Sequence, residues 1–260
     1  MKSLKSKSLV LFLLFLCCGY THSAFSQSPR FSFEKYINGK GDTLKYRQLF
    51  PDYDTIRKYP LVIFLHGSGE RGNNNEAQLQ WGVMNFATDQ NMKLHPAFVI
   101  APQCPDHSSW ANFSNAGNSR EMSLLASPTK PMELLIELIH QFVKKFPVDT
   151  NRIYITGLSM GGFGTFDAIE RYPYLFSAAV PVCGGGDISK ASSISHIPIW
   201  VFHGAEDAAV NPVFSLDMVE ALTKAGAHPG FTLYPEVGHF SWIGAYSDPM
   251  MMEWLFRQHR

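Results

Sequence analysis

The sequence predicts an α/β fold, a single domain in which helices flank a mostly parallel central sheet. Runs with strand character alternate with runs of helical apolar spacing along most of the chain, the pattern of a parallel sheet covered by helices. The 260 residues are 45% hydrophobic, enough to bury one large core without a second domain. A strand, a glycine-rich turn and a helix follow one another directly around Ser159, which places a candidate functional site within this fold.

The first residues indicate a secretory signal that is separate from the folded domain. A basic leader precedes the apolar stretch 9–16. Small residues follow at Ala24 and Ser26, the positions that a signal peptidase recognises before a cleavage site. The apolar stretch is too short to cross a bilayer, so no stable membrane span is expected. We therefore expect a signal peptide over residues 1–26, a folded domain over residues 27–260, and export to the periplasm or the outside of the cell.

The four cysteines divide into two pairs. Cys17 and Cys18 end the apolar leader, and a lipoprotein cleavage there is the less favoured alternative because neither follows the small residue that such a site prefers. Cys104 and Cys183 follow predicted strands. Export would permit a disulfide between them, but two free, buried thiols are the favoured expectation. Neither has a second ligand at metal-binding spacing, so we expect no structural zinc and no cofactor.

The folded part begins with a predicted hairpin. Residues 31–37 and 44–50 have strand character and are joined by a turn-rich link, which predicts two antiparallel strands at the edge of the sheet. Residues 61–65 form an apolar run that ends in a glycine-punctuated loop, as a buried strand does. The segment 105–127 is long and irregular and is expected to be a surface loop. Apolar spacing and turn residues predict helices over residues 76–86, 132–146, 214–225 and 249–258.

Ser159 is the candidate nucleophile. It lies in the motif Gly157-Leu158-Ser159-Met160-Gly161, between a β-rich run and a run compatible with a helix. The flanking glycines permit a tight corner, which lifts the serine hydroxyl out of the sheet. Motifs of this size also occur in ordinary turns, so the prediction depends on the partners of the serine.

A serine hydroxyl is a weak nucleophile at neutral pH, and it needs a histidine to accept its proton and a carboxylate to orient that histidine. Asp207 follows the predicted strand 197–202, and His239 follows the next predicted strand. Both would lie on loops at the carboxyl edge of the sheet, as the candidate acid and the candidate base. Glu206 is the alternative acid, and His203 is expected to support the acid loop without reacting.

Two backbone N–H groups would stabilise an oxyanion in such a site. One belongs to Met160, which follows the candidate nucleophile, and the other to Ser68 in the loop after the strand 61–65. Gly67 and Gly69 would let this loop approach closely. His66 is expected to be structural.

With these motifs, the chain resembles the α/β-hydrolase superfamily, and within it the secreted bacterial esterases, the dienelactone-hydrolase-like proteins and the predicted peptidases related to feruloyl and acetylxylan esterases. The order of nucleophile, acid and base along the chain is that of this superfamily. The resemblance implies a sheet of about eight strands. It covers most of the chain from about residue 45 and rests on the segments 64–72, 101–105, 157–162, 203–207 and 238–239.

Substrate contacts are less clearly indicated. Trp110, Phe240 and Trp242 would stack on a sugar ring or an aromatic acyl group, or else cover the core. Glu70 would hold a polar group of the substrate, or else form a surface ion pair.

The sequence therefore predicts a serine hydrolase for carboxylic esters, with short acyl groups or polysaccharide-linked acetyl or feruloyl groups as substrates. A peptidase like the prolyl oligopeptidases is the second hypothesis, although too few residues precede the first strand for the propeller of those enzymes. A lipase or phospholipase is the third hypothesis. A non-catalytic binding protein on the same scaffold is disfavoured, because binding alone would not require Ser159, Asp207 and His239 together. The formal net charge of +0, from 22 basic and 22 acidic residues, gives no reason to expect nucleic acid as a partner.

Overall fold

A computed structural model describes residues 30–51, 56–114 and 122–260. The predicted signal peptide over residues 1–26 lies outside the described residues, and so does part of the loop 105–127. Within the described ranges, no helix combines the length and the apolar character that a membrane crossing requires.

An eight-stranded sheet forms the centre of the molecule, in the order β1-β2-β4-β3-β7-β8-β9-β10. Its strands are β1 (Phe31–Ile37), β2 (Thr43–Leu49), β3 (Tyr59–Leu65), β4 (Phe98–Pro102), β7 (Val148–Leu158), β8 (Ala178–Val182), β9 (Trp200–Gly204) and β10 (Gly230–Tyr234). The pairs β1/β2 and β2/β4 are antiparallel, and all other pairs in this sheet are parallel. The short strands β5 (Phe113–Ser114) and β6 (Ser123–Leu124) pair separately. The predicted edge hairpin and the α/β-hydrolase fold are confirmed.

Seven α-helices connect or cover the strands of the described part of the chain: α1 (Asp89–Leu94), α2 (Lys130–Lys145), α3 (Met160–Arg171), α4 (Ala191–Ile194), α5 (Val213–Lys224), α6 (Trp242–Ser247) and α7 (Pro249–Arg257). Three predicted helices correspond to α2, α5 and α7. At the start of α2, the side chain of Thr129 accepts a hydrogen bond from the N–H of Met132, and Pro131 occupies the first turn, where a missing N–H costs nothing.

The predicted helix over residues 76–86 is wrong. Two short 3₁₀ segments, Ala77–Leu79 and Val83–Ala87, occupy this region instead. Gly82 separates them with a φ of +73°, and a Cβ at that position would lie 2.4 Å from the ring of Tyr246. A residue in this conformation cannot continue a right-handed helix, so tertiary contact with Tyr246 overrides the local helical pattern.

The sheet separates two apolar cores, and β3 contributes to both. Ile63 packs on the side that carries α2 to α5, while Val62 and Phe64 pack on the side that carries α6 and α7. Burial on both faces explains why this strand is a continuous apolar run in the sequence. Cys104 and Cys183 are both buried and carry free thiols, which confirms the favoured expectation.

Candidate active site

Three side chains predicted from separate loops lie in contact at the carboxyl edge of the sheet. Nε2 of His239 lies 2.9 Å from Oγ of Ser159, and Nδ1 of His239 lies 2.7 Å from Oδ2 of Asp207. Ser159 joins β7 to α3, Asp207 follows β9, and His239 follows β10. Because these parallel strands end at one edge, their loops meet there. The arrangement can pass a proton from the serine hydroxyl to the imidazole.

Ser159 occupies a sharp, strained turn between β7 and α3. Its φ is +54°, a region that a residue with a Cβ enters only at a cost in free energy. Its N–H donates to the carbonyl O of Val182 on β8 at 2.9 Å, which holds the turn against the sheet. Gly161 lies so close to β3 that an added Cβ would be 2.0 Å from the carbonyl O of Leu65. The glycine of the motif is therefore required by a backbone contact.

We expect Gly161→Ala to lower the free energy of unfolding by about 3 kcal/mol or more, because backbone atoms cannot yield as a flexible side chain does. Urea unfolding would measure this as a lower midpoint with an unchanged slope. Gly39→Ala is the control, since an added Cβ at Gly39 meets nothing within 4 Å. Equal stability of the two variants would contradict the close approach of this turn to β3.

Asp207 is held as a carboxylate with a defined orientation. Its Oδ1 accepts hydrogen bonds from the N–H groups of Ala209 and Val210, both at 2.9 Å, and its Oδ2 faces His239. Burial acts to raise the pKa of Asp207, but the hydrogen bonds from His239 and from the two N–H groups outweigh it and lower the pKa. The carboxyl group is therefore ionised at neutral pH. Glu206, the alternative acid, is exposed to solvent.

His203 lies beneath the acid loop and is completely buried. Its Nε2 is 3.0 Å from the carbonyl O of Val210 and 3.2 Å from Oδ2 of Asp207. Both are acceptors, so Nε2 carries a hydrogen, and Nδ1 lies 2.7 Å from Oγ of Ser215. Burial lowers the pKa of His203, which keeps the ring neutral. As expected from the sequence, this histidine supports the acid loop.

Cys183 also belongs to the surroundings of Asp207, which sequence reasoning did not foresee. Its Sγ lies 2.8 Å from Oγ of Ser241 and 3.3 Å from the carbonyl O of His239. One ligand atom each of Cys183, His203 and Asp207 lie within 4.8 Å of one another. Burial raises the pKa of the Cys183 thiol to about 12, so the thiol is protonated at neutral pH. These groups pack around the acid and the histidine loop.

The two predicted oxyanion donors lie at starts of helical segments. Met160 is the first residue of α3, where N–H groups have no partner within the helix and the helix dipole favours negative charge. Ser68 begins the short 3₁₀ segment Ser68–Glu70, which follows β3 after His66 and Gly67, and Ser68 itself is exposed. Since β3 and β7 are neighbours in the sheet, both donors belong to the same edge as Ser159.

Glu70 faces the protein and not the solvent. Glu70 is 7% exposed, and its carboxylate accepts hydrogen bonds from the N–H of Gly67 and from the indole of Trp81. Burial raises the pKa of Glu70 against the effect of these hydrogen bonds. Arg71 donates through Nε to the carbonyl O of Ser108 at 2.6 Å. Glu70 therefore forms neither the predicted substrate contact nor the alternative surface ion pair in this structure. Its contacts hold the oxyanion loop.

His66 and Trp110 hold the other side of the same loop. Nε2 of His66 accepts the N–H of Cys104 at 2.9 Å, and Nδ1 lies 2.6 Å from the carbonyl O of Gly67, to which it donates. The indole N–H of Trp110 donates to the carbonyl O of His66 at 3.2 Å. Trp110 has no exposed surface, so the structure supports the alternative that it covers the core and not the prediction that it contacts substrate.

The neutral form of His66 should make the stability of the protein depend on pH. Burial lowers the pKa of His66 to about 4. The unfolded chain takes up a proton near pH 6.5, so this contribution to stability is complete above that pH and is lost as the pH falls toward 4. We expect a loss of about 2 kcal/mol between pH 7 and pH 5 from this residue.

Urea unfolding at both pH values would measure this effect. The pH dependence should shrink by that amount in His66→Gln and persist in His140→Gln, which changes an exposed histidine on α2. An unchanged pH dependence in His66→Gln would show that the pKa of this ring is the same in the folded and the unfolded protein.

Phe240 and Trp242 lie beside the candidate base. The ring of Trp242 is 5.0 Å from the ring of His239 and is nearly buried, whereas Phe240 is 54% exposed. Trp81 contacts both, at 5.7 Å from Phe240 and 6.2 Å from Trp242. Sequence reasoning missed Trp81 because residues 76–86 were assigned to a helix, and no local pattern links them to the histidine loop.

Comparisons with known proteins indicate related enzymes. A family model described as phospholipase/carboxylesterase matches residues 55–248. The crystal structure of a thermostable esterase is 41% identical with a TM-score of 0.82, over 89% of this chain and 64% of that one. A probable carboxylesterase of Oryza sativa subsp. japonica is 25% identical over 201 residues, 70% of this chain and 81% of that protein.

A bifunctional acetylxylan esterase/xylanase of Neocallimastix patriciarum is 25% identical over 153 residues, 58% of this chain. The aligned chain spans only 20% of the length of that protein, and 64% of the thermostable esterase.

Proposed function

Since this chain belongs to the phospholipase/carboxylesterase family, we propose that it is an exported serine carboxylesterase for short acyl or polysaccharide-linked esters. The observation that carries this proposal is the line of hydrogen bonds from Ser159 through His239 to Asp207, at 2.9 and 2.7 Å. A histidine between a hydroxyl and a carboxylate is the arrangement that acyl transfer requires.

In the first step, Oγ of Ser159 attacks the ester carbonyl carbon while Nε2 of His239 takes the hydroxyl proton. The N–H groups of Met160 and Ser68 stabilise the negative oxygen of the tetrahedral intermediate. The carbon–oxygen bond to the alcohol then breaks, and Nε2 returns its proton to the alcohol oxygen. The acyl group remains as an ester on Ser159.

In the second step, water replaces the alcohol. Nε2 of His239 takes a proton from the water, whose oxygen attacks the acyl carbon. The bond between this carbon and Oγ of Ser159 then breaks, Nε2 returns the proton to Oγ, and the acid is released. Asp207 stabilises the imidazolium in both steps and keeps the hydrogen on Nδ1, because its Oδ2 is an acceptor only. The two backbone N–H groups on Oδ1 keep this carboxylate from rotating away.

Three observations support the substrate class. The related acetylxylan esterase/xylanase acts, by its name, on an ester of a polysaccharide, and the leader over residues 1–26 would bring this enzyme to such polymers outside the cytoplasm. A cavity of about 310 Å³ opens beside Met160 and offers room for an acyl group larger than acetyl. It is lined by Ser109, Ala111, Phe113, Met160 and Phe163.

Labelling with a fluorophosphonate probe tests this function. We expect covalent labelling of Ser159, identified by peptide mass spectrometry, and turnover of acetyl or feruloyl esters ahead of long-chain acyl and peptide substrates. A protein that takes up no probe and hydrolyses no ester in the panel would refute the proposal. Preferred cleavage of the peptide substrates would favour the peptidase hypothesis.

A further inference from the structure

The position of His239 decides where the alcohol part of a substrate lies. This inference rests on the proposed esterase function, in which Nε2 of His239 returns to the leaving alcohol the proton that it took from Ser159. Nε2 is 2.9 Å from Oγ of Ser159, so the alcohol oxygen must come within hydrogen-bond reach of the same nitrogen. The remainder of the alcohol therefore lies against the surface around His239, and the acyl group extends away from it.

That surface is formed by three aromatic rings, Trp81, Phe240 and Trp242, which we call the aromatic platform. Trp242 contacts the His239 ring at 5.0 Å, and Phe240 lies 4.8 Å from Trp242. Trp242 is 5% exposed and supports the platform from below, whereas Phe240 is 54% exposed. A large aromatic ring open to solvent beside the general base is an available contact surface for substrate.

The platform is attached to the oxyanion loop. The indole N–H of Trp81 donates to the carboxylate of Glu70, and the same carboxylate accepts the N–H of Gly67, next to the proposed donor Ser68. Trp81 is thereby fixed in orientation, and little conformational entropy is lost when a ligand binds to it. The buried carboxylate of Glu70 thus fixes the position of the platform relative to the oxyanion loop.

The chemistry of the platform selects its ligand. None of its three side chains carries a positive charge, so it offers nothing to an anionic alcohol, and the faces of aromatic rings carry partial negative charge. The apolar face of a sugar ring presents C–H groups that fit such a surface. Because Phe240 is exposed to solvent, a sugar chain could continue past this residue on both sides of the esterified unit without a steric clash with it. A small open-chain alcohol would leave the platform uncovered.

We propose that the aromatic platform binds the leaving alcohol as a sugar ring, so that the enzyme prefers esters of carbohydrate hydroxyls to esters of small open-chain alcohols. The acyl group is held elsewhere, and the platform sets the preference for the alcohol alone.

The test compares three acetate esters that differ only in the alcohol: a monoacetylated methyl xyloside, ethyl acetate and phenyl acetate. We expect Phe240→Ala to lower kcat/KM for the xyloside ester about tenfold, mainly through KM, and to change the value for ethyl acetate less than about twofold. Phe33→Ala is the matched control, because Phe33 is also 54% exposed but lies on β1 at the far edge of the sheet. The ratio of the kcat/KM values for the xyloside and ethyl esters is the readout, since a loss of folded enzyme lowers both equally.

The outcomes separate the two proposals. An unchanged ratio in Phe240→Ala, an equal change in Phe33→Ala, or a loss confined to phenyl acetate would overturn the platform as a sugar site while the esterase function stands. A wild-type protein that hydrolyses none of the three esters and takes up no fluorophosphonate would refute the esterase function, and this inference with it.

Discussion

Replacing Ser159 with alanine is expected to lower kcat for p-nitrophenyl acetate by about 10⁶-fold, to the level left by the oxyanion donors and substrate binding alone. The reason is the loss of the only hydroxyl that lies 2.9 Å from Nε2 of His239 among the described residues. Without Oγ, no acyl-enzyme forms, and labelling by a fluorophosphonate should disappear as well.

The fold should survive this change. Alanine carries the same Cβ into the strained turn, and the hydrogen bond from the N–H of residue 159 to the carbonyl O of Val182 needs no side chain. We therefore expect a Tm within about 3 °C of the wild type. Ser193→Ala, at an exposed serine, is the activity control. Undiminished turnover by Ser159→Ala would remove this residue from the mechanism.

The change Asp207→Asn is expected to lower kcat by about 10⁴-fold while the protein remains folded. The effect follows from the hydrogen bonds around this side chain. Oδ1 accepts from the N–H groups of Ala209 and Val210, so the amide oxygen of an asparagine must take that position. Its NH₂ group then points at Nδ1 of His239, which must become an acceptor. The hydrogen moves to Nε2, and the imidazole can no longer accept the proton of Ser159.

The neighbouring carboxylate provides the matched control. Glu206 is exposed, and Glu206→Gln should retain kcat within about twofold, because a surface substitution away from the reacting atoms has small effects. The kinetics of both variants with one ester would decide between the two acids. A larger loss in Glu206→Gln than in Asp207→Asn would transfer the role of the acid to Glu206.

Several parts of this site could be predicted from the sequence because they depend on local geometry. The strand, turn and helix around Ser159 follow from strand character, flanking glycines and helical spacing within a few residues. Asp207 and His239 lie on the predicted loops, each within five residues of the end of a strand. The parallel sheet follows from the alternation of strands and helices.

Other parts could not be predicted, because they depend on partners far away in the chain. The segment 76–86 has helical apolar spacing, yet the contact between Gly82 and Tyr246 breaks it into two 3₁₀ segments. Glu70 and Trp110 carry no local sign of burial, and the structure turns both toward the oxyanion loop. A periodic pattern records which face of an element is apolar, but not which element covers it.

By itself, the sequence determined the α/β class, the nucleophile turn and the loops that carry the candidate acid and base, since short-range sterics and spacing decide these features. Only the tertiary structure decided that His239 meets Ser159 across 80 positions and Asp207 across 32, and that Trp81 joins Phe240 beside them. The physical reason is the order of strands in the sheet, which brings the ends of β7, β9 and β10 to one edge and which no local interaction specifies.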